Sequence, residues 1–181
     1  MTKTRPNGFQ HELPNNGLTN DWITPPYVLD WFNDLTEEPL WFDLDPCISL
    51  YQFYKTANNS FNIQDDGLNK EWHGNVWCNP PYGKHTKHWI KKLVEHKNGV
   101  ALIFARTETK LWQDYIFPTA DAVLFINRRI KFLRANKKPG ESATAPSALV
   151  AWGSHNERAL AAIANSIYKN KKAGWVLYPY G

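Results

Sequence analysis

Asn75-Val76-Trp77-Cys78-Asn79-Pro80-Pro81-Tyr82-Gly83 decides how this chain is read. A short apolar run stops at two prolines, neither of which has an N–H to extend a ladder. The stretch therefore reads as a strand that ends in an exposed turn. In an α/β sheet the carboxyl ends of the strands are where ligands bind. The Asn79 side-chain oxygen and the Pro80 carbonyl, left free where Pro81 holds the backbone turned, can both accept from one exocyclic amino group. Two such acceptors aim its lone pair at an electrophile and stabilise the charge that builds on nitrogen. Tyr82 offers a flat face to the ring that carries the amine, a contact worth roughly 1–3 kcal/mol per stacked base. The plainer alternative is a proline-rich turn that closes a strand, with Tyr82 a surface aromatic.

The segments on either side narrow this choice. Trp22-Ile23-Thr24-Pro25 precedes Tyr27, Val28, Trp31, Phe32 and Leu35 at helical spacing, which predicts a helix with Thr24 as its N-cap. Leu40 to Leu44 reads as a short strand that ends at Asp45-Pro46-Cys47, and period-two alternation puts Asp43 and Asp45 on one side of it. A carboxylate there can accept from an ammonium or from ribose hydroxyls; helix capping by Asp45 is the alternative. Ser60 to Ile63 predicts another strand, and Asp65-Asp66-Gly67-Leu68 a turn with Gly67 at positive φ. The continuous apolar run Gly99 to Phe104 suits a buried parallel strand that ends at Arg106-Thr107-Glu108-Thr109. Asp121–Ile126, Ile130–Leu133, Ala148–Trp152 and Trp175–Tyr178 read as further strands. Helices are expected after Tyr82 and over Leu160 to Ile167.

These segments together resemble the phage-type DNA N6-adenine methyltransferases, the Dam family, across about Asp21 to Gly153. The resemblance rests on Trp22-Ile23-Thr24-Pro25, Phe42-Asp43-Leu44-Asp45-Pro46, Asp65-Asp66-Gly67-Leu68, Cys78-Asn79-Pro80-Pro81-Tyr82, Ala105 to Thr109 with Trp112, Arg129-Ile130-Lys131-Phe132 and Pro146-Ser147-Ala148-Leu149, in the family's order. NPPY by itself also occurs in methyltransferases that act on glutamine, guanine and cytosine. The resemblance implies S-adenosylmethionine as cofactor and Asn79, Pro80, Pro81 and Tyr82 as catalytic residues. It places Trp22, Thr24, Pro25, Asp43, Asp45, Pro46 and Asp66 around the cofactor. The glycine-rich turn that usually follows the first strand of such folds is missing, and Asp-x-Asp-Pro stands in its place. The expected fold is a Rossmann-like sheet, mainly parallel with an antiparallel edge and with helices on both faces. It would form one domain over residues 21–181 behind a flexible arm at 1–20.

Composition agrees with a soluble, globular chain. Its 181 residues are 43% hydrophobic, and no run reaches the ~18 apolar residues of a membrane span. No signal peptide is visible, and Cys47 and Cys78 read as reduced thiols, so a bacterial cytoplasm is expected. Residues 1–82 carry four Lys/Arg against eleven Asp/Glu, whereas residues 83–181 carry seventeen against six. An acidic first half suits a sulfonium cofactor, and a basic second half suits phosphates. Lys84, Lys87, Arg106, Arg128, Arg129, Lys131, Lys137 and Lys138 are the candidate DNA contacts, an uneven but merely solvated surface being the alternative. No metal is expected. The remaining rivals are another amino acceptor (cytosine N4, an RNA base or a protein glutamine) and a non-catalytic DNA-binding domain of the same fold.

Overall fold

The computed structural model describes residues 22–135, 140, 143–168 and 171–179. The expected arm at 1–20 and the basic pair Lys137 and Lys138 lie outside them. Strands β1 (Leu44–Asp45), β2 (Asn59–Ser60), β3 (Val76–Cys78), β4 (Gly99–Phe104), β5 (Ala122–Ile126), β6 (Ser147–Trp152) and β9 (Gly174–Leu177) form one seven-stranded sheet in the order β2-β1-β3-β4-β6-β5-β9. A separate hairpin pairs β7 (Ile167–Tyr168) with β8 (Lys171–Lys172). Helix α1 (Pro26–Asn33) packs with α3 (Ser154–Asn165) on one face of the sheet. On the other lie α2 (Thr86–His96) and a π-helical turn at Trp112–Ile116.

The two-sided core follows from the pleat. In β3, Val76 and Cys78 join the α2 side while Trp77 between them joins the α1 side, and all three are fully buried. Along β4 and β6, Val100, Leu102, Leu149 and Ala151 face one layer, and Ala101, Ile103, Ala148 and Val150 face the other. A strand covered on both faces has no polar side to show, which is why these runs are continuously apolar.

The expectation of a mainly parallel sheet needs correction. The β1–β2, β1–β3 and β3–β4 pairs are parallel, but β4–β6, β5–β6 and β5–β9 are antiparallel and contain the longer ladders. A parallel return needs a crossover, usually a helix. The described residues between β5 and β6 hold no helix, so β6 comes back antiparallel and slots between β4 and β5.

Several elements also differ from their sequence expectation. Leu40–Phe42 stays outside the ladder, because Trp41 is held by side chains: its N–H donates to Asn33 Oδ1 (2.9 Å) and its Nε1 to Asn156 Oδ1 (3.2 Å). Ile130–Leu133 is no strand of the sheet; the alternation of buried Ile130 and Phe132 with exposed Lys131 arises in a segment whose only strand-like partner among the described residues is Ile23, bridged to Leu133. Thr24 does not cap α1; Pro25 occupies that position, no side chain caps it, and Pro26 opens the helix. The positive φ of the Asp-Gly turn lies at Asp66 (54°), and Gly67 serves a different need. A Cβ on Gly67 would stand 2.0 Å from the Pro46 carbonyl oxygen, so only glycine lets this turn press against the exit of β1.

Candidate active site

Strands β1, β3, β4 and β5 all run the same way, so Asp45, Asn79, Arg106 and Arg128 emerge along one edge of the sheet. At this edge a cleft opens between the turn after β3, the segment 22–24 and the loop after β1. It encloses about 400 Å³ counting its mouth and is lined by Trp22, Ile23, Thr24, Asp45, Cys47, Gln52, Thr56, Asn79, Pro80 and Pro81 among others. A second, shallower hollow shares Ile48, Gln52 and Thr56 with it and continues along Phe53, Tyr54 and Lys55.

The turn after β3 is clamped from within. The Thr86 hydroxyl donates to the Pro81 carbonyl (2.8 Å) and accepts from the Gly83 N–H (3.0 Å). Gly83 has φ +127°, a conformation few side-chain-bearing residues adopt. The chain thus leaves the two prolines, turns at Gly83 and enters α2 within a few residues. Asn79 Nδ2 donates to the Trp22 carbonyl (2.6 Å) and to Thr24 Oγ1 (3.1 Å). A carbonyl can only accept, which fixes the amide nitrogen at this end. Asn79 Oδ1 is left buried with no hydrogen-bond partner. An orphaned buried acceptor costs roughly 1–3 kcal/mol, which an incoming donor would recover.

Asp45 faces the same space and is 3% exposed. Its Oδ2 accepts from the Thr56 hydroxyl (2.6 Å) and its Oδ1 from the Cys47 N–H (3.1 Å). Burial pushes its carboxyl from the usual 3.8 up to about 6, and these hydrogen bonds only partly oppose that. It is a buried carboxylate with no cation beside it among the described residues. Cys47 and Cys78 are free thiols 3.9 Å apart beneath the site, and burial pushes Cys47 well above the ordinary thiol range.

Of the sequence candidates, Trp22, Thr24, Asp45, Asn79, Pro80 and Pro81 come together in the cleft. Tyr82 does not line it. Its hydroxyl donates to the Leu102 carbonyl (3.3 Å), its ring packs 4.3 Å from Phe104, and burial raises its phenol pKa. Asp43 is not brought to the cleft either, since its carboxylate accepts from the Asn75 N–H (2.7 Å) and rests against Gly74. Alternation is no guide to Asp43 because the ladder starts only at Leu44. Asp66 is exposed and accepts from Asn69 Nδ2 (2.7 Å). Pro25 caps α1 and Pro46 backs the Gly67 turn, both beside the cleft wall rather than in it.

Sequence reasoning missed an aromatic row beside the turn at residues 79–82. Arg106 lies over Phe104 (5.5 Å), Phe104 over Tyr82 (4.3 Å), Tyr82 against Phe132 (6.0 Å), Phe132 against Trp22 (5.7 Å), and Trp22 under Arg134 (5.4 Å). The row joins residues from four separate segments, so no local pattern announces it. Lys84, Lys87, Arg106, Arg129 and Lys131 are exposed and Arg128 is half-buried; all follow strands at this same edge. Lys92, from the same helix as Lys87, is instead turned inward, with its ammonium donating to the Leu68 carbonyl (2.6 Å).

A family model described as DNA N-6-adenine-methyltransferase (Dam) matches residues 14–175, most of the chain. The chain belongs to this family. Dam membership implies DNA adenine N6-methyltransferase activity and a DNA substrate, and the layered α/β sheet is consistent with a methyltransferase fold. No curated protein and no solved structure matches the chain. Among the described residues, no helix is long and apolar enough to cross a membrane, and no cluster of ligating side chains could hold a metal ion.

Proposed function

We propose that this Dam-family chain transfers a methyl group from S-adenosylmethionine to the N6 amino group of an adenine flipped out of DNA, at the cleft beside Asn79. The observation that carries the reading is Asn79 itself. Its amide nitrogen is fully engaged, and its oxygen is a buried acceptor with no partner. An exocyclic amine supplies what that oxygen lacks. Accepting an N–H holds the amine's lone pair out of the ring plane and stabilises the charge that grows on nitrogen. The Pro80 carbonyl is the second acceptor of the pair. Little is asked of a base, since the proton leaves after transfer.

The residues present fit the cofactor. S-adenosylmethionine supplies an electrophilic methyl group on a cationic sulfur. Among the described residues Asp45 is the one buried carboxylate on the cleft wall, already destabilised by burial, and would hold the cofactor's positive end. Trp22 and Thr24 close the same wall, and the hollow along Phe53 and Tyr54 gives the ligand room to extend. The target adenine cannot be reached while stacked, so flipping it costs a few kcal/mol. Stacking against the aromatic row offsets that cost, and the exposed cations at the sheet edge meet the phosphates. Residues 21–181 serve as one methyltransferase domain with a Rossmann-like sheet.

Mass spectrometry of nucleosides from a host that lacks adenine methylation tests this directly. Expression of the chain should raise N6-methyladenine in DNA, and Asn79→Ala should abolish the rise while cofactor affinity stays within about threefold. N4-methylcytosine, methylated RNA or methylated glutamine in its place would refute the acceptor. DNA retention without measurable cofactor binding would refute the enzyme.

A further inference from the structure

We infer that the Trp22 carbonyl and the Thr24 hydroxyl form a paired acceptor that sets the Asn79 amide with its oxygen toward the cleft. Thr24 is thereby a positioning residue, and position 79 of this chain is selective for an amide over a carboxylate. The inference rests on the reading of Asn79 as the amine acceptor and deepens it.

The geometry begins with what each partner can do. The Trp22 oxygen accepts and cannot donate, so the atom 2.6 Å from it must bear hydrogen. Thr24 Oγ1, 3.1 Å away, takes the second amide hydrogen. With both hydrogens spent on one side, Oδ1 is turned away from that wall as a bare acceptor. The wall does not drift, because Ile23 and Leu133 exchange two backbone hydrogen bonds (3.2 and 2.8 Å) across an antiparallel bridge. The Trp22 ring is held between Phe132 and Arg134. Thr24 is 3% exposed, so water does not compete for its hydroxyl.

A carboxylate at position 79 would meet the Trp22 carbonyl oxygen to oxygen, and only the Thr24 hydroxyl could turn to donate to it. Aspartate there satisfies that carbonyl only while it keeps its proton: the acid O–H then donates to the Trp22 carbonyl and the other oxygen remains an acceptor for the amine. Ionised Asp45, facing the turn from the β1 side, pushes the same way. The Cys47 thiol beside it and Tyr82 on the turn's own segment are kept uncharged by burial, Cys78 flanks the turn as a thiol, and the Arg134 cation beyond the Trp22 ring pushes the other way. The folded-state pKa of the carboxyl introduced by Asn79→Asp is therefore raised, and its acceptor function is available on the acid side of that pKa.

The experiment compares purified full-length wild type, Thr24→Val, Thr24→Ser and Asn79→Asp for methyl transfer and thermal unfolding from about pH 5.5 to pH 8.5. Thr24→Val should lower kcat about tenfold or more with cofactor KM within about threefold, whereas Thr24→Ser, which keeps the acceptor, should stay within about threefold of wild type. The kcat of Asn79→Asp relative to wild type should rise about tenfold from pH 8 to pH 6. Its melting temperature relative to wild type should fall as pH rises over the same range. Wild-type turnover in Thr24→Val, or a pH-independent rate ratio and melting difference for Asn79→Asp, overturns the inference. If wild type transfers no methyl to adenine, the functional reading fails. The melting profile of Asn79→Asp still decides the acceptor pair in that case.

Discussion

Replacing Asp45 with Asn should stabilise the ligand-free protein at neutral pH and weaken cofactor binding. Burial raises the Asp45 carboxyl from 3.8 to about 6, a shift of about 2 units. At 1.36 kcal/mol per unit, keeping the ionised group folded at neutral pH costs about 3 kcal/mol. The sign follows from proton counts. Between about pH 4 and pH 6 the folded chain keeps a proton that the unfolded chain has released. Stability is therefore lost as pH rises through that window, and the loss is complete by about pH 7. In Asp45→Asn the side-chain oxygen can still accept from the Cys47 N–H, and the Thr56 hydroxyl can turn to accept from the new amide. Any residual mismatch costs about 1 kcal/mol. Urea unfolding at about pH 4.5, 6 and 7.5 should show Asp45→Asn more stable than wild type by about 1–3 kcal/mol at the highest pH, with the gap closing toward the lowest. Calorimetry should show weaker cofactor binding by the same variant. A pH-independent gap, or a less stable variant at pH 7.5, would refute the account of Asp45 as a carboxylate strained by burial and held for a cation.

Gly67→Ala places a Cβ 2.0 Å from the Pro46 oxygen and should cost about 1–3 kcal/mol in denaturant unfolding while disturbing the exit of β1 next to Asp45. Tyr82→Phe removes one hydrogen bond to Leu102 but keeps the ring on Phe104, so a stability loss of about 0.5–1.5 kcal/mol with transfer within about threefold is expected. A rate below a tenth of wild type would instead place the hydroxyl in the chemistry. Arg106→Ala and Arg134→Ala should each weaken DNA binding and reduce the slope of log K against log salt by about 0.9, measured by fluorescence anisotropy. An unchanged slope removes that arginine from the DNA contact.

Much of the site is legible in the sequence because its chemistry is local. A strand that must stop at Pro80 and Pro81 announces its own end, and an Asp-x-Asp-Pro turn marks another. The buried runs 99–104 and 147–152 identify themselves by lacking any polar face. Asp43 and Asp66 are less legible because their signal is shared. An Asp at a strand end or in an Asp-Gly turn reads alike whether it meets a ligand, the Asn75 N–H or its neighbour Asn69.

Sequence alone determined where the chain turns, which stretches are buried and that an amide and a carboxylate terminate two strands, because proline geometry and apolar periodicity act over a few residues. Tertiary structure decided the antiparallel insertion of β6 and the aromatic row from Arg106 to Arg134. It also decided which end of the Asn79 amide is bonded to Trp22 and Thr24 and which is left without a partner. Those depend on groups as far apart as Trp22 and Asn79, whose 2.6 Å approach no spacing along the chain encodes.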